Sequence, residues 1–237
     1  HGTAMLGGKC LLAELLLFSL FCALVPQLSV SFTNANDWTR MLEFYNATDG
    51  KNWRTGFVWT DLSRDPCDNP AFFKGIKCTG KVHEADRRIE NISMSDMQLN
   101  GTLPTSFCEL PNLMVINMWG NNLYGTVPSC LGNLSLVMNL DLRKNKFSGT
   151  VPTSMSSMSR LQSVYLSDNF LSGTLPSFFG SMPSLQNLFL SYNKFSGTVP
   201  VAYSNLRNND GFSWLDIRGN KGLVGPVPLN VSRLNAI

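Results

Sequence analysis

The feature that most constrains this chain is an internal repeat of 24 residues. Three successive segments, 113–136, 137–160 and 161–184, follow one template of apolar residues, an asparagine, a glycine and a proline. A single unit of this kind cannot bury its own apolar face, so such units fold by stacking on one another. The repeat therefore predicts an elongated solenoid.

The template reads L-x-x-L-x-L-x-x-N-x-L-x-G-x-[LV]-P, and we number its positions from the first leucine. The apolar residues at positions 4 and 6 predict a short strand, and strands of neighbouring units are expected to pair into one long parallel sheet. Glycine at position 13 suits a backbone with positive φ. At position 9 an inward amide can satisfy backbone groups that a sharp turn leaves unpaired. Five residues occupy that position: Asn121, Asn145, Asn169, Asn193 and Asn220.

This template is that of the leucine-rich repeat. The form with G-T-[LV]-P after the asparagine resembles the plant-type extracellular subclass, which includes receptor-like kinase ectodomains and polygalacturonase-inhibiting proteins. Similar repeats occur in surface antigens of some protozoa. The resemblance implies an α/β solenoid: a right-handed leucine-rich repeat superhelix with a concave parallel β-sheet and a helical, disulfide-stapled N-terminal cap.

Three regions are expected along the chain: a leader and signal peptide over 1–31, an N-terminal cap over 32–88 and six repeats over 89–237. The first repeat has Met97 where asparagine is expected. Ile237 would open a seventh unit, which predicts an array truncated at its C-terminus. Any membrane attachment through a span or a lipid anchor would then depend on a segment that follows, as would a kinase domain.

The N-terminal region has the pattern of a signal peptide. Lys9 leads into the apolar run Leu11–Val25, which is shorter than the roughly 20 residues of a spanning helix. Small residues at Ser29 and Ser31 favour a cut after Ser31. A cut after Ala35 and an uncleaved anchor are the alternatives. The pattern predicts a secreted or cell-surface protein.

The predicted cap begins with an amphipathic helix over 37–45. Its apolar face carries Trp38, Met41, Leu42 and Tyr45. The resemblance implies that this helix, with Trp53 and Trp59, covers the open end of the solenoid, and that a Cys67–Cys78 bridge staples the cap.

Four cysteines remain once the signal peptide is removed, and an even number favours an oxidising compartment. Cys108 and Cys130 fall at positions 20 and 18 of adjacent repeats. Because exposed free thiols side by side are rare in secreted proteins, we expect a bridge between these two coils. Five sequons predict a glycoprotein: Asn46, Asn91, Asn100, Asn133 and Asn230.

Composition and motifs argue against several classes of function. The net charge of +3, without a basic patch interleaved with aromatics, gives no reason to expect nucleic acid as a partner. Hydrolase, zinc-protease and phosphate-loop motifs are absent from the sequence. We therefore expect that the protein is not an enzyme and that it has neither a cofactor nor a metal site.

The concave sheet carries the predicted binding face. Side chains at positions 3, 5, 7 and 8 point out of the sheet, and several of them are aromatic or arginine, the residue types that dominate binding hot spots. The convex side lacks such a run. The predicted contact residues are Trp119, Asp141, Arg143, Tyr165, Phe189, Tyr192, Trp214, Asp216 and Arg218.

The function expected from these features is a recognition module that binds an extracellular protein, peptide or glycan on its concave face. Two alternatives stay open at this stage. One is an inhibitor that blocks an extracellular hydrolase with the same face. The other is a structural or antigenic surface protein without a single ligand.

Overall fold

A computed structural model describes residues 35–54, 59, 62, 66–67, 73–80, 87–208 and 211–226. The chain divides into two units, 1–31 and 32–237. The predicted signal peptide and the sequon at Asn230 lie outside the described residues. Within the described ranges, no helix is long and apolar enough to cross a membrane.

The main sheet has seven strands, and its order follows the chain. Six strands, one from each repeat, run parallel, as the template predicts, while the cap contributes an antiparallel strand at one edge. The strands are β1 Ile76–Cys78, β2 Ile89–Ser93, β4 Val115–Asn117, β6 Asn139–Asp141, β8 Ser163–Tyr165, β10 Asn187–Phe189 and β12 Trp214–Asp216.

A second parallel sheet of six strands was not predicted from the sequence. Its strands follow position 9 of each repeat, so every coil contributes one strand to each sheet. Alternate residues of these strands face the core and the solvent, as in Asn122–Thr126, where Leu123 is buried between two exposed neighbours. The strands are β3 Asn100–Gly101, β5 Asn122–Thr126, β7 Lys146–Gly149, β9 Phe170–Thr174, β11 Lys194–Gly197 and β13 Gly222–Leu223.

Short 3₁₀ helices return the chain on the convex side of the repeats. One continuous apolar core runs between these helices and the two sheets. Leucine, isoleucine, valine, methionine and phenylalanine fill positions 1, 4, 6 and 11 of successive coils, and most are completely buried. The helices span Thr105–Glu109, Ser129–Asn133, Thr153–Ser157, Ser177–Ser181 and Val201–Asn208.

The inward asparagine ladder forms as predicted. The side-chain oxygen of Asn145 accepts a hydrogen bond from the backbone N–H of Leu123 at 3.0 Å. Its amide nitrogen donates to the carbonyls of Met118, Leu142 and Arg143 at 2.9, 3.1 and 3.2 Å. One buried amide therefore ties two coils together. The same pattern recurs at Asn121, Asn169, Asn193 and Asn220.

The turn that precedes each asparagine uses a left-handed backbone at position 8. Lys144, Asp168 and Tyr192 have φ of 51°, 57° and 52° there, and Gly120 has 73°. Such φ values are uncommon outside glycine. The residue type at this position varies between repeats, so the repeat pattern alone does not predict this conformation. Glycine at position 13 also has positive φ, as predicted, for example 83° at Gly125.

The cap helix α1 spans Ala35–Ala47, two residues longer at each end than predicted. Trp38, Met41 and Tyr45 are buried as expected, but Leu42 is only partly buried. Phe44, which the sequence pattern omitted, is completely buried and packs 5.4 Å from the ring of Phe107 in the first repeat.

Aromatic rings cover the open end of the solenoid. Trp53 and Trp59 lie 5.0 Å apart between centroids, and Phe73 joins them 5.5 Å from Trp59. Asp37 accepts hydrogen bonds from Arg88 and from the backbone N–H of Ile89, which ties the first turn of the helix to the start of the repeats. The predicted capping role of these tryptophans therefore fits their burial.

Both expected disulfides form. Cys67 and Cys78 have Cα atoms 5.6 Å apart within the cap, and Cys108 and Cys130 have Cα atoms 5.7 Å apart between adjacent coils. Cys108 is buried rather than exposed, because its 3₁₀ helix packs against the cap helix.

Candidate ligand-binding face

Strand register places the predicted face on five adjacent strands. Asn117, Asp141, Tyr165, Phe189 and Asp216 pair in one row across β4, β6, β8, β10 and β12. Neighbouring strands are about 4.8 Å apart, so the row extends over about 19 Å. Equivalent positions of successive repeats therefore lie side by side across the sheet, as the expected parallel pairing requires.

An aromatic pair stands at the centre of this row. The rings of Tyr165 and Phe189 lie 5.1 Å apart between centroids and are inclined by 31°. The guanidinium carbon of Arg143 lies 4.5 Å from the centroid of Tyr165, within the range of a cation–π contact. All three side chains are half-buried, so each keeps one accessible side.

Further aromatic residues flank this centre on both sides. Trp119 is half-buried, with the ammonium of Lys144 5.3 Å from its ring. Trp214 is 45% exposed and Tyr192 is 56% exposed. The ring of Tyr192 lies over Gly219, where an added Cβ would come within 2.5 Å of it. Tyr192 therefore sits at the margin of the sheet, because its left-handed backbone belongs to the turn.

Two aspartate–arginine pairs lie among the predicted contacts. Arg143 binds Asp141 through Nε and Nη2, and Arg218 binds Asp216 in the same way, at 2.9 Å for both nitrogens in the second pair. The arginines cover the carboxylates, since Asp141 and Asp216 are only 6% and 7% exposed. In each pair the arginine side chain is more exposed than the aspartate side chain.

Hydrogen bonding sets the charge state of these pairs. The side-chain hydrogen bond from Arg218 is the main reason that the pKa of Asp216 lies below its ordinary value. The hydrogen bond to Asp141 likewise raises the pKa of the Arg143 guanidinium. The Asp216–Arg218 pair therefore stays ionised at neutral pH and presents a nearly neutral unit on the face.

The second sheet exposes aromatic residues that sequence reasoning missed. Tyr124 is 49% exposed on β5, and Phe170 is 48% exposed on β9. Polar–apolar alternation from position 10 to position 14 was the signal that could have identified this strand and its outward residues.

The sequons differ in accessibility. Asn46, Asn100 and Asn133 are exposed, whereas Asn91 is half-buried within β2. Its side-chain oxygen is buried and has no partner among the described residues. Across that same part of the chain, no group of three or more histidine, cysteine or acidic residues could hold a metal ion.

Comparison with known proteins identifies the class. A leucine-rich repeat family model matches residues 111–171 and 159–221. A search of curated protein sequences finds no significant match. Among solved structures, a chain of the BIR3–SERK2 complex from Arabidopsis thaliana is 33% identical, with a TM-score of 0.58; the match covers 66% of this chain and 79% of that one.

Two other structures of Arabidopsis receptor kinases are similar. The leucine-rich repeat ectodomain of the receptor kinase SOBIR1 is 28% identical, with a TM-score of 0.67 and coverage of 82% of this chain and 98% of that one. The receptor kinase HAESA, in complex with the peptide hormone IDA and the co-receptor SERK1, is 26% identical, with a TM-score of 0.60; the match covers 84% of this chain and 36% of that one.

The fold and its open concave sheet define a ligand-binding solenoid module. The chain belongs to the plant-type extracellular leucine-rich repeat family.

Proposed function

We propose that this chain is an extracellular recognition module that binds a protein or peptide on the concave face. The binding residues lie between Trp119 and Trp214, and we call this set of outward side chains the concave row. The observation that carries the proposal is the set of accessible aromatic side chains on a sheet whose core positions are already filled. Large exposed apolar surface of this kind marks interaction sites.

The dimensions of the row support an extended peptide segment as the ligand. A row of about 19 Å matches about six residues of extended chain. The paired arginines add hydrogen-bond donors beside the rings without adding net charge. The complex of HAESA with a peptide hormone and a co-receptor supports the same class of partner.

Substitutions at the centre of the row test the proposal. Linear peptides are selected from a random display library on the immobilised protein, and their affinities are measured by calorimetry. Tyr165→Ala and Phe189→Ala are each expected to cost at least about 1–2 kcal/mol of binding, because each removes an aromatic anchor. Melting should change little, since both side chains are only half-buried.

Ser156→Ala is the matched control, because Ser156 is exposed on a convex 3₁₀ helix. Its affinity for the selected peptides should equal that of the parent. If the Tyr165→Ala and Phe189→Ala variants also bound as the parent does, the contact surface would lie elsewhere. A library that yields no binding peptide would speak against peptide recognition.

We also propose that the protein is secreted or displayed at the cell surface as a glycoprotein. The two disulfides support an oxidising compartment. Expressed in a eukaryotic secretory host, the product is expected to begin near residue 32 and to lose mass on N-glycosidase treatment. N-terminal sequencing and mass spectrometry measure both. A cytosolic, unglycosylated product would refute secretion.

The hydrolase-inhibitor alternative would use the same concave row. If the protein is such an inhibitor, Tyr165→Ala should weaken its inhibition of an extracellular hydrolase. If its role is purely structural or antigenic, the same substitution should affect no binding.

A further inference from the structure

The outer face of the second sheet has a chemistry that the concave row does not use. Its outward positions are 10, 12 and 14 of the repeats, and in the first five repeats they carry hydroxyl, amide, aromatic and lysine side chains. Among these positions in the described residues, lysine occurs at Lys146, Lys194 and Lys221, and no acidic residue occurs. None of the three lysines forms an ion pair with another described residue. The face is therefore electropositive.

Two of these lysines each neighbour an exposed aromatic residue of the preceding coil. The ammonium of Lys194 is 4.9 Å from the centroid of Phe170, and Lys146 is the register partner of Tyr124. We call Tyr124, Lys146, Phe170 and Lys194 the lateral strip. Lys146 lies in the third repeat and Lys194 in the fifth, so the two aromatic–lysine units are about 10 Å apart along the solenoid.

Serine hydroxyls separate the members of the lateral strip. Ser148 pairs in register with Phe170, and Ser172 pairs with Lys194. The two hydroxyls donate to the carbonyls of Gly125 and Gly149 at 3.4 Å each, which holds them in place. A regular row of hydroxyls, flat rings and cations lies along the sheet.

We propose that the lateral strip binds a linear anionic polysaccharide. The exposed faces of Phe170 and Tyr124 are suited to pack against sugar rings, the neighbouring ammonium groups to pair with carboxylates or sulfates, and the serines to contact sugar hydroxyls. A repeating polymer can engage both aromatic–lysine units at once, which raises its avidity. This site is separate from the concave row and does not depend on it.

Polygalacturonate is the first probe, measured by fluorescence polarisation at physiological salt. Phe170→Ser and Lys194→Gln are each expected to weaken binding by about fivefold or more. Binding should also fall as salt is added, because exposed charges are screened. Fully methyl-esterified polygalacturonate keeps the backbone without the charge and should bind far more weakly. Dextran sulfate in place of polygalacturonate distinguishes sulfate from carboxylate as the preferred anion.

Arg160→Gln is the matched charge control, because Arg160 is exposed and lies outside the second sheet. It should change affinity by less than about twofold, and Tyr165→Ala in the concave row should not change it. Failure of both polymers to bind would overturn the proposal. The proposal would also be overturned if Arg160→Gln reduced the affinity for the polymer as much as Lys194→Gln does. Binding to phosphatidylserine vesicles but to neither polymer would overturn it as well.

Discussion

Replacing Leu140 by alanine is expected to lower the free energy of unfolding by about 2–5 kcal/mol. Leu140 is completely buried in β6, and its register partners Ile116 and Val164 are completely buried as well. Removing its isobutyl group leaves a cavity that the close-packed coils on either side cannot fill. Because each coil contacts only its neighbours, a defect at a central strand weakens both adjoining interfaces.

Urea unfolding followed by circular dichroism measures this loss. Val201→Ala is the control, since Val201 is 80% exposed and its removal opens no cavity. Equal stability of the Leu140→Ala protein and the parent would contradict the placement of position 4 in the core.

Replacing Asn145 by alanine is expected to cost about 1–3 kcal/mol of stability, near the upper end of that range. The substitution removes one acceptor and a donor group that serve four backbone partners, three of them through buried hydrogen bonds. Asn145→Asp should fare little better, because a carboxylate accepts from Leu123 but cannot donate to the three carbonyls.

Asn122→Ala is the matched control for Asn145. Asn122 is exposed at position 10 of the second repeat. Thermal melting of the three variants compares them directly. A normal melting temperature for the Asn145→Ala protein would mean that the amide ladder contributes nothing to stability.

Most of the fold could be predicted from sequence, because the repeat fixes which side chains share a column. Once Asn145 and its counterparts are aligned, the core, the concave row and the inward amides follow. The second sheet was missed because its strands are short and contain a glycine, as in Phe170–Thr174, which weakens their resemblance to a strand.

The candidate site was predicted less completely than the fold. The rows that hold Tyr165 and Phe189 follow from register alone. Side-chain pairing does not, since only the three-dimensional arrangement reveals that Arg143 covers Asp141 while lying over Tyr165. Likewise, the position of Tyr192 at the margin depends on a left-handed turn that its residue type does not indicate.

Tryptophan accessibility tests the concave site most directly. Three of the five tryptophans, Trp38, Trp53 and Trp59, are buried in the cap, while Trp119 and Trp214 lie on the concave face. Acrylamide quenching of fluorescence is measured with and without a saturating selected peptide. A peptide on the concave row should protect the accessible tryptophans and lower the quenching. Unchanged quenching of the peptide-saturated protein would contradict binding at this face.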